Sequence, residues 1–138
     1  MSFAGVRNAL DQYSQNAVRT GVESASPHRL IQMLLEGALD KIAAAKGCME
    51  RSEIQPKGEQ IGSAISILEG LKSSLDKDKG GEIAQNLEDL YIYMERRLIE
   101  ANRDNDVALL DEVSDLLRQI KEAWDAIADQ AAQYEPTA

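Results

Sequence analysis

The chain has 138 residues, enough for one domain with a continuous core. A net charge of −9 argues against a nucleic-acid or anionic-lipid partner, because both need clustered Lys and Arg. Aromatics are only 4% of the chain and Ala, Leu and Ile dominate, which favours helices over strands.

The acidic excess is uneven, with eight acids against Arg118 and Lys121 in residues 105–138. Solubility of a solvated helix face accounts for such a run; a basic or neutral partner is the alternative. Cys48 is the single cysteine and cannot pair within the chain, which suits a reducing compartment. The N-terminus lacks a signal-peptide pattern, and no apolar run approaches the roughly 20 residues that span a bilayer. A cytoplasmic protein without membrane insertion is the expectation.

Residues 1–25 read as a separate N-terminal segment. Val6, Leu10, Tyr13 and Ala17 are spaced 4, 3, 4, which predicts a short amphipathic helix, marginal alone and leaning on the body or a partner. It is either a plain appendage or a movable cover for a groove. Ser26-Pro27 then opens the first long helix, Ser as N-cap and Pro where a missing N–H costs nothing. Ile31, Leu35, Ala38, Ile42, Ala45 and Met49 form its seam at an average period of 3.5, the mark of helices packed side by side. The helix should fade near Arg51-Ser52.

A connection is predicted over 53–58, with Pro56 at or near the next helix start. Ile61, Ala64, Leu68, Leu71 and Leu75 carry the second helix, with Ile65 and Ile67 alongside. Gly80-Gly81 is expected to terminate it by supplying a left-handed C-cap. The third helix is predicted from about Gly81 to Asn102, its stripe being Ile83, Leu87, Leu90, Met94, Leu98 and Ala101. Tyr91 flanks that stripe and Tyr93 lies about 100° from it, so both are either core-edge residues with wet hydroxyls or the border of a groove.

Asn105 or Asp106 can cap the last helix, where Leu110, Val113, Leu117, Ile120, Trp124, Ile127 and Ala131 keep the 3, 4 rhythm. Four long helices with short connections imply an all-α, antiparallel, up-down-up-down four-helix bundle over residues 26–131. The tail, 132–138, is expected to be disordered.

Chemistry is thin in this pattern. The only histidine, His28, sits in a first turn, so the Glu-x-x-His pairs of a di-iron bundle and the C-x-x-C-H of haem attachment are both missing. No nucleophile and base share a spacing logic, and no enzyme, metal or cofactor is expected. A phosphotransfer module acting through His28 is the runner-up. The apolar arcs of the first and last helices, by contrast, exceed the roughly 100° a bundle helix needs. A helix laid in a groove is the recurring use of such a surface.

Three stretches, SASPHRLIQMLLEGAL, SSLDKDKGGEIAQNLEDLYIYMERRLIEANRDND and EVSDLLRQIKEAW, closely resemble the FliS family of flagellar secretion chaperones, in unbroken order over about residues 10–128. One departure stands out: Leu35-Glu36 precedes Gly37-Ala38 where the family usually has an aromatic residue and Asp, which implies a retuned groove contact. The resemblance implies a cytoplasmic chaperone that binds the disordered C-terminal segment of flagellin, blocks its premature polymerisation and keeps it ready for the flagellar type III export apparatus. It also implies that Leu10 and Tyr13 belong to an N-terminal segment lying over a groove and yielding to flagellin. The candidate partner-binding residues are therefore Leu10, Tyr13, Ile31, Ile65, Leu68, Leu87, Tyr91, Tyr93, Ile120 and Trp124. Whether the free protein forms a homodimer is left open.

Overall fold

A computed structural model describes residues 25–127. Four helices make up this part of the chain: α1 (Pro27–Glu50), α2 (Ile54–Ser73), α3 (Lys77–Asp104) and α4 (Val107–Ala126). Ser26 caps α1 as its sequence predicts, its hydroxyl accepting the Arg29 N–H at 3.1 Å with Pro27 at the first helical position. Asp106 caps α4 by accepting the Ala108 N–H at 3.0 Å, while Asn105, left-handed at φ 54°, ends α3.

The connections are shorter than expected, spanning 51–53, 74–76 and 105–106. Helix α2 starts before Pro56, which falls in its first turn, where backbone N–H groups lack helical partners anyway. The glycine pair does not end α2. That helix stops at Ser73, and Asp76 starts α3 by accepting the Lys79 N–H at 3.1 Å. Gly81 instead breaks α3 one turn in, at φ 51° and ψ −125°, a conformation only glycine adopts without strain. An ion pair of 2.8 Å joins Lys77 to Glu88. Eleven residues of unbroken helix would hold those two about 16 Å apart along the axis, so the break folds the first turn back along α3.

Connections of two or three residues leave the chain no option but to reverse, and each helix packs chiefly on its two neighbours, α1 on α2, α2 on α3, α3 on α4 and α4 on α1. The α1–α2 contact is the most extensive; buried Gly37, Ala38, Ala45, Ala64 and Gly70 on these two helices permit close approach. Leu34, Leu35, Ile42, Ile61, Leu68, Met94, Leu98, Leu110 and Leu117 fill the interior.

On α3 the buried seam is rotated from the predicted stripe, running through Ala84, Tyr91, Met94, Leu98 and Ala101, while Ile83 is 73% exposed. At one end of the bundle a polar tie closes the fold: buried Lys57 of α2 donates to the Asn102 carbonyl at 3.1 Å and to Asn105 Oδ1 at 3.0 Å. An ammonium there satisfies carbonyls that the α3 terminus leaves open and opposes the negative end of its dipole.

Candidate functional site: an apolar cleft at the open end of the bundle

Among the described residues the opposite end lacks such closure. There the start of α1, the end of α2, the first half of α3 and the end of α4 surround a cavity of about 550 Å³. Leu35 and Leu71 belong to its wall and are fully buried, whereas Ile83 and Ile127 stand exposed at its mouth. The same seams that fill the core elsewhere therefore run into open space here, because α3 is interrupted at Gly81 just where its apolar side chains would meet the other three helices.

His28 and Trp124 join two of the walls. Their rings stack at 4.5 Å with 6° between planes, and the Trp124 indole N–H donates to the His28 carbonyl at 2.9 Å. This carbonyl belongs to the first turn of α1, so the indole ties the end of α4 to the start of α1. Beside the pair, Asp125 accepts from Gln32 at 2.6 Å and from Lys121 at 2.6 Å, and Lys121 followed by Gln32 holds its carboxyl below the usual range. Polar groups otherwise stay at the rim, where Asp76 and Lys79 flank the mouth.

Tyr91 is a wall residue only 3% exposed, not a core-edge residue with a wet hydroxyl, and burial pushes its phenol up to about 12. Tyr93 does sit at the surface, away from the cleft, donating its hydroxyl to Glu112 with Arg97 over its ring.

Five of the predicted partner-binding residues, Ile31, Leu87, Tyr91, Ile120 and Trp124, come together around the cleft. Leu68 lies in the core with no exposure, and Ile65 is half-buried against that core; neither lines the cleft. Leu10 and Tyr13 lie outside the described residues, as do most of the N-terminal segment and the tail. Pro27, His28, Ser74, Asp76, Lys79 and Gly80 line the cleft without having been partner-binding candidates. They sit at helix ends, where periodicity carries no signal, and only the antiparallel packing brings them to one place. Leu35, where the resemblance implies a departure from the family pattern, falls in the cleft wall.

The arrangement offers shape and apolar surface and little else. Among the described residues no three or more His, Cys, Asp or Glu are grouped to hold a metal ion, and no helix is long and apolar enough to cross a membrane. The His28 ring, stacked flat with its Nε2 buried, is not the exposed mid-helix histidine that phosphotransfer needs.

A family model described as flagellar protein FliS matches residues 8–131, nearly the whole chain. The chain belongs to the FliS family. Among curated relatives it is 52% identical over 120 residues to the flagellar secretion chaperone FliSB of Pseudomonas aeruginosa, covering 87% of this chain and 95% of that one. It is 45% identical over 129 residues to the flagellar secretion chaperone FliS of Salmonella typhimurium, covering 93% and 96%. A FliS of Bacillus subtilis is 32% identical over 119 residues, covering 86% and 85%. FliS proteins are chaperones and not enzymes, in keeping with a site built from apolar walls.

Proposed function

We propose that this FliS protein is a cytoplasmic export chaperone whose cleft holds the disordered C-terminal segment of flagellin, preventing premature polymerisation and keeping the subunit competent for the flagellar type III export apparatus. The open apolar cleft carries this reading: a soluble bundle gains nothing by leaving Ile83 and Ile127 exposed around it unless something apolar docks there. An amphipathic helix presents the right complement, and coupled folding on the bundle offsets its ordering cost by burying a long interface.

Residues 1–25, with Leu10 and Tyr13, act in this proposal as the cover that competes for the cleft of the bundle. The connection is short: Ala25 is two residues from Pro27, itself a cleft residue.

Titration calorimetry of the full chain against the C-terminal segment of its bacterium's flagellin tests both parts. Saturable binding with a negative heat-capacity change is expected, and Leu87→Asp should weaken it at least about tenfold. Binding that Leu87→Asp leaves unchanged would remove the cleft from the interface. Deleting residues 1–20 should raise affinity; identical affinity would refute the competition.

A further inference from the structure

The large hydrophobic side chains exposed among the described residues fall in two places. Ile83 and Ile127 stand at the mouth of the cleft, whereas Ile54, Tyr93 and Ile99 have no part in it. Ile92, Arg96 and Ile99, spaced 4 and 3, share one face of α3, and Ile99 is 56% exposed. That face points outward. Glu95, one residue before Arg96, turns to Lys72 of α2 at 2.8 Å, and Arg97, one residue after it, turns to Glu112 of α4 at 2.9 Å. Ile65 extends the patch onto α2. Lys57 and Lys72 meet α3 at Asn102 and Glu95, which brings half-buried Ile65, midway between the two lysines, level with Ile99. The surface beside it is open, since a Cβ added to Gly62 would meet nothing within 4 Å.

Arg96 is the unusual member of the patch. Among the described residues Arg29, Arg51, Arg97, Arg103 and Arg118 each hold a carboxylate, and Arg96 holds none in a chain of 24 acids. Its neighbours one turn away are Ile92, Tyr93, Ile99 and Glu100, and Glu100 is taken by Arg97 at 2.9 Å. A free guanidinium thus stands among two isoleucines and a tyrosine. Apolar side chains around Arg and Tyr are the composition of a protein–protein interface, whereas surfaces that stay in water favour Lys and Glu.

We propose that this outer face of α3, with Ile65 beside it, docks an amphipathic helix of a protein other than the export segment, one that brings a carboxylate to Arg96 from between two apolar residues. Adjacent helices such as α2 and α3 leave a shallow groove along which a helix can lie, and the unpaired guanidinium selects an acidic one. A second copy of this chain fits poorly, because two-fold pairing through the face sets Arg96 against its own like charge. The export segment is separated from it by a polar belt: Lys77 pairs with Glu88 at 2.8 Å and Gln85 with Asp89 at 3.0 Å, between the cleft residues of α3 and Ile92. Ile99 lies about 18 Å along α3 from Leu87 of the cleft, so the face stays open while the cleft is filled. A loaded chaperone would carry its cargo at one end and present this side to another protein.

Photo-crosslinking in the protein's own bacterium tests the face, with p-benzoylphenylalanine replacing Ile99 in one full-length variant and Ile83 in another. The Ile99 adduct, mapped by mass spectrometry, should lie in an acidic amphipathic helix of a protein other than flagellin. Arg96→Glu should cut the yield of that adduct at least about tenfold and leave the Ile83 adduct with flagellin unchanged. Reversing the mapped carboxylate to Arg in the partner should restore it. Arg96 makes no ion pair that its replacement would break, so the variant should melt with wild type. An Ile99 adduct with flagellin would overturn the proposal by giving the face to the export segment, and one with a second copy would make it a dimer interface. No Ile99 adduct, or one indifferent to Arg96→Glu, would overturn it as well. Absence of flagellin from the Ile83 adduct alone would overturn the cleft reading and leave this face standing.

Discussion

Trp124→Ala tests whether the open end is held together as its geometry indicates. The substitution removes three contributions at once. A fully buried Trp cut to Ala costs about 3–5 kcal/mol, and Trp124 is half-buried, so about 2 kcal/mol is expected from lost packing. The indole N–H to the His28 carbonyl, 2.9 Å long, adds about 1 kcal/mol. Loss of the stacked ring adds about 0.5 kcal/mol, for a total of about 3–4 kcal/mol. In a domain of this size that lowers the melting temperature by about 10 °C, read from far-UV circular dichroism. Trp124→Phe keeps a ring on His28 and loses the hydrogen bond, so it should cost about 1–2 kcal/mol. Stability of 5–15 kcal/mol is typical of a domain, so both variants should stay folded at room temperature and be fit for binding measurements. A Trp124→Ala protein that melts within about a degree of wild type would refute the view that this residue ties α4 to α1.

At the closed end, Lys57→Met keeps the aliphatic stem but leaves the Asn102 carbonyl and Asn105 Oδ1 without their donor. Asn102 and Asn105 are exposed and can recruit water, so urea denaturation should show a loss of about 2 kcal/mol, with peptide binding unaffected. Gly81→Ala meets no atom within 4 Å, so its penalty is purely conformational, about 1–3 kcal/mol; wild-type stability would mean that α3 is not broken there. Tyr93→Phe bears on pH. The Tyr93 hydroxyl, then Arg97, hold the Glu112 carboxyl below its ordinary value, and a depressed carboxyl contributes stability that is present above the unfolded value and lost as pH falls through the folded one. The melting-temperature deficit of Tyr93→Phe should therefore be present above the ordinary carboxylate range and shrink as pH falls below that range. A deficit that persists in acid would mean the contact acts by packing alone.

Much of the architecture is legible in the residues because its causes are local. Ser26 and Asp106 cap because a short side-chain oxygen beside an apolar run can satisfy an orphan N–H, whatever lies further off. The 3, 4 spacings locate the buried face of α1 and α4 since each residue turns the helix by a fixed angle. The glycine pair misled for the same local reason: a left-handed C-cap and a break inside a helix require the same freedom of φ, and only the Asp76 cap decides that Lys77–Gly80 belongs to α3.

The binding surface is a different kind of fact. Periodicity states an angle about one helix axis, but not which neighbour lies along that direction or whether any does. Leu68 and Leu87 look alike as seam residues, yet one is fully buried in the core and the other meets a cavity. Tyr91, two residues from Tyr93, goes inside because the α3 seam is rotated toward it. His28 and Trp124 are 96 residues apart, and nothing in either neighbourhood announces that their rings stack. The sequence by itself determined four helices, the caps of the first and last, their order and their family. Tertiary structure alone decided that one end is closed by a buried lysine and the other left open around an apolar cleft, because an opening exists only where several helices fail to meet.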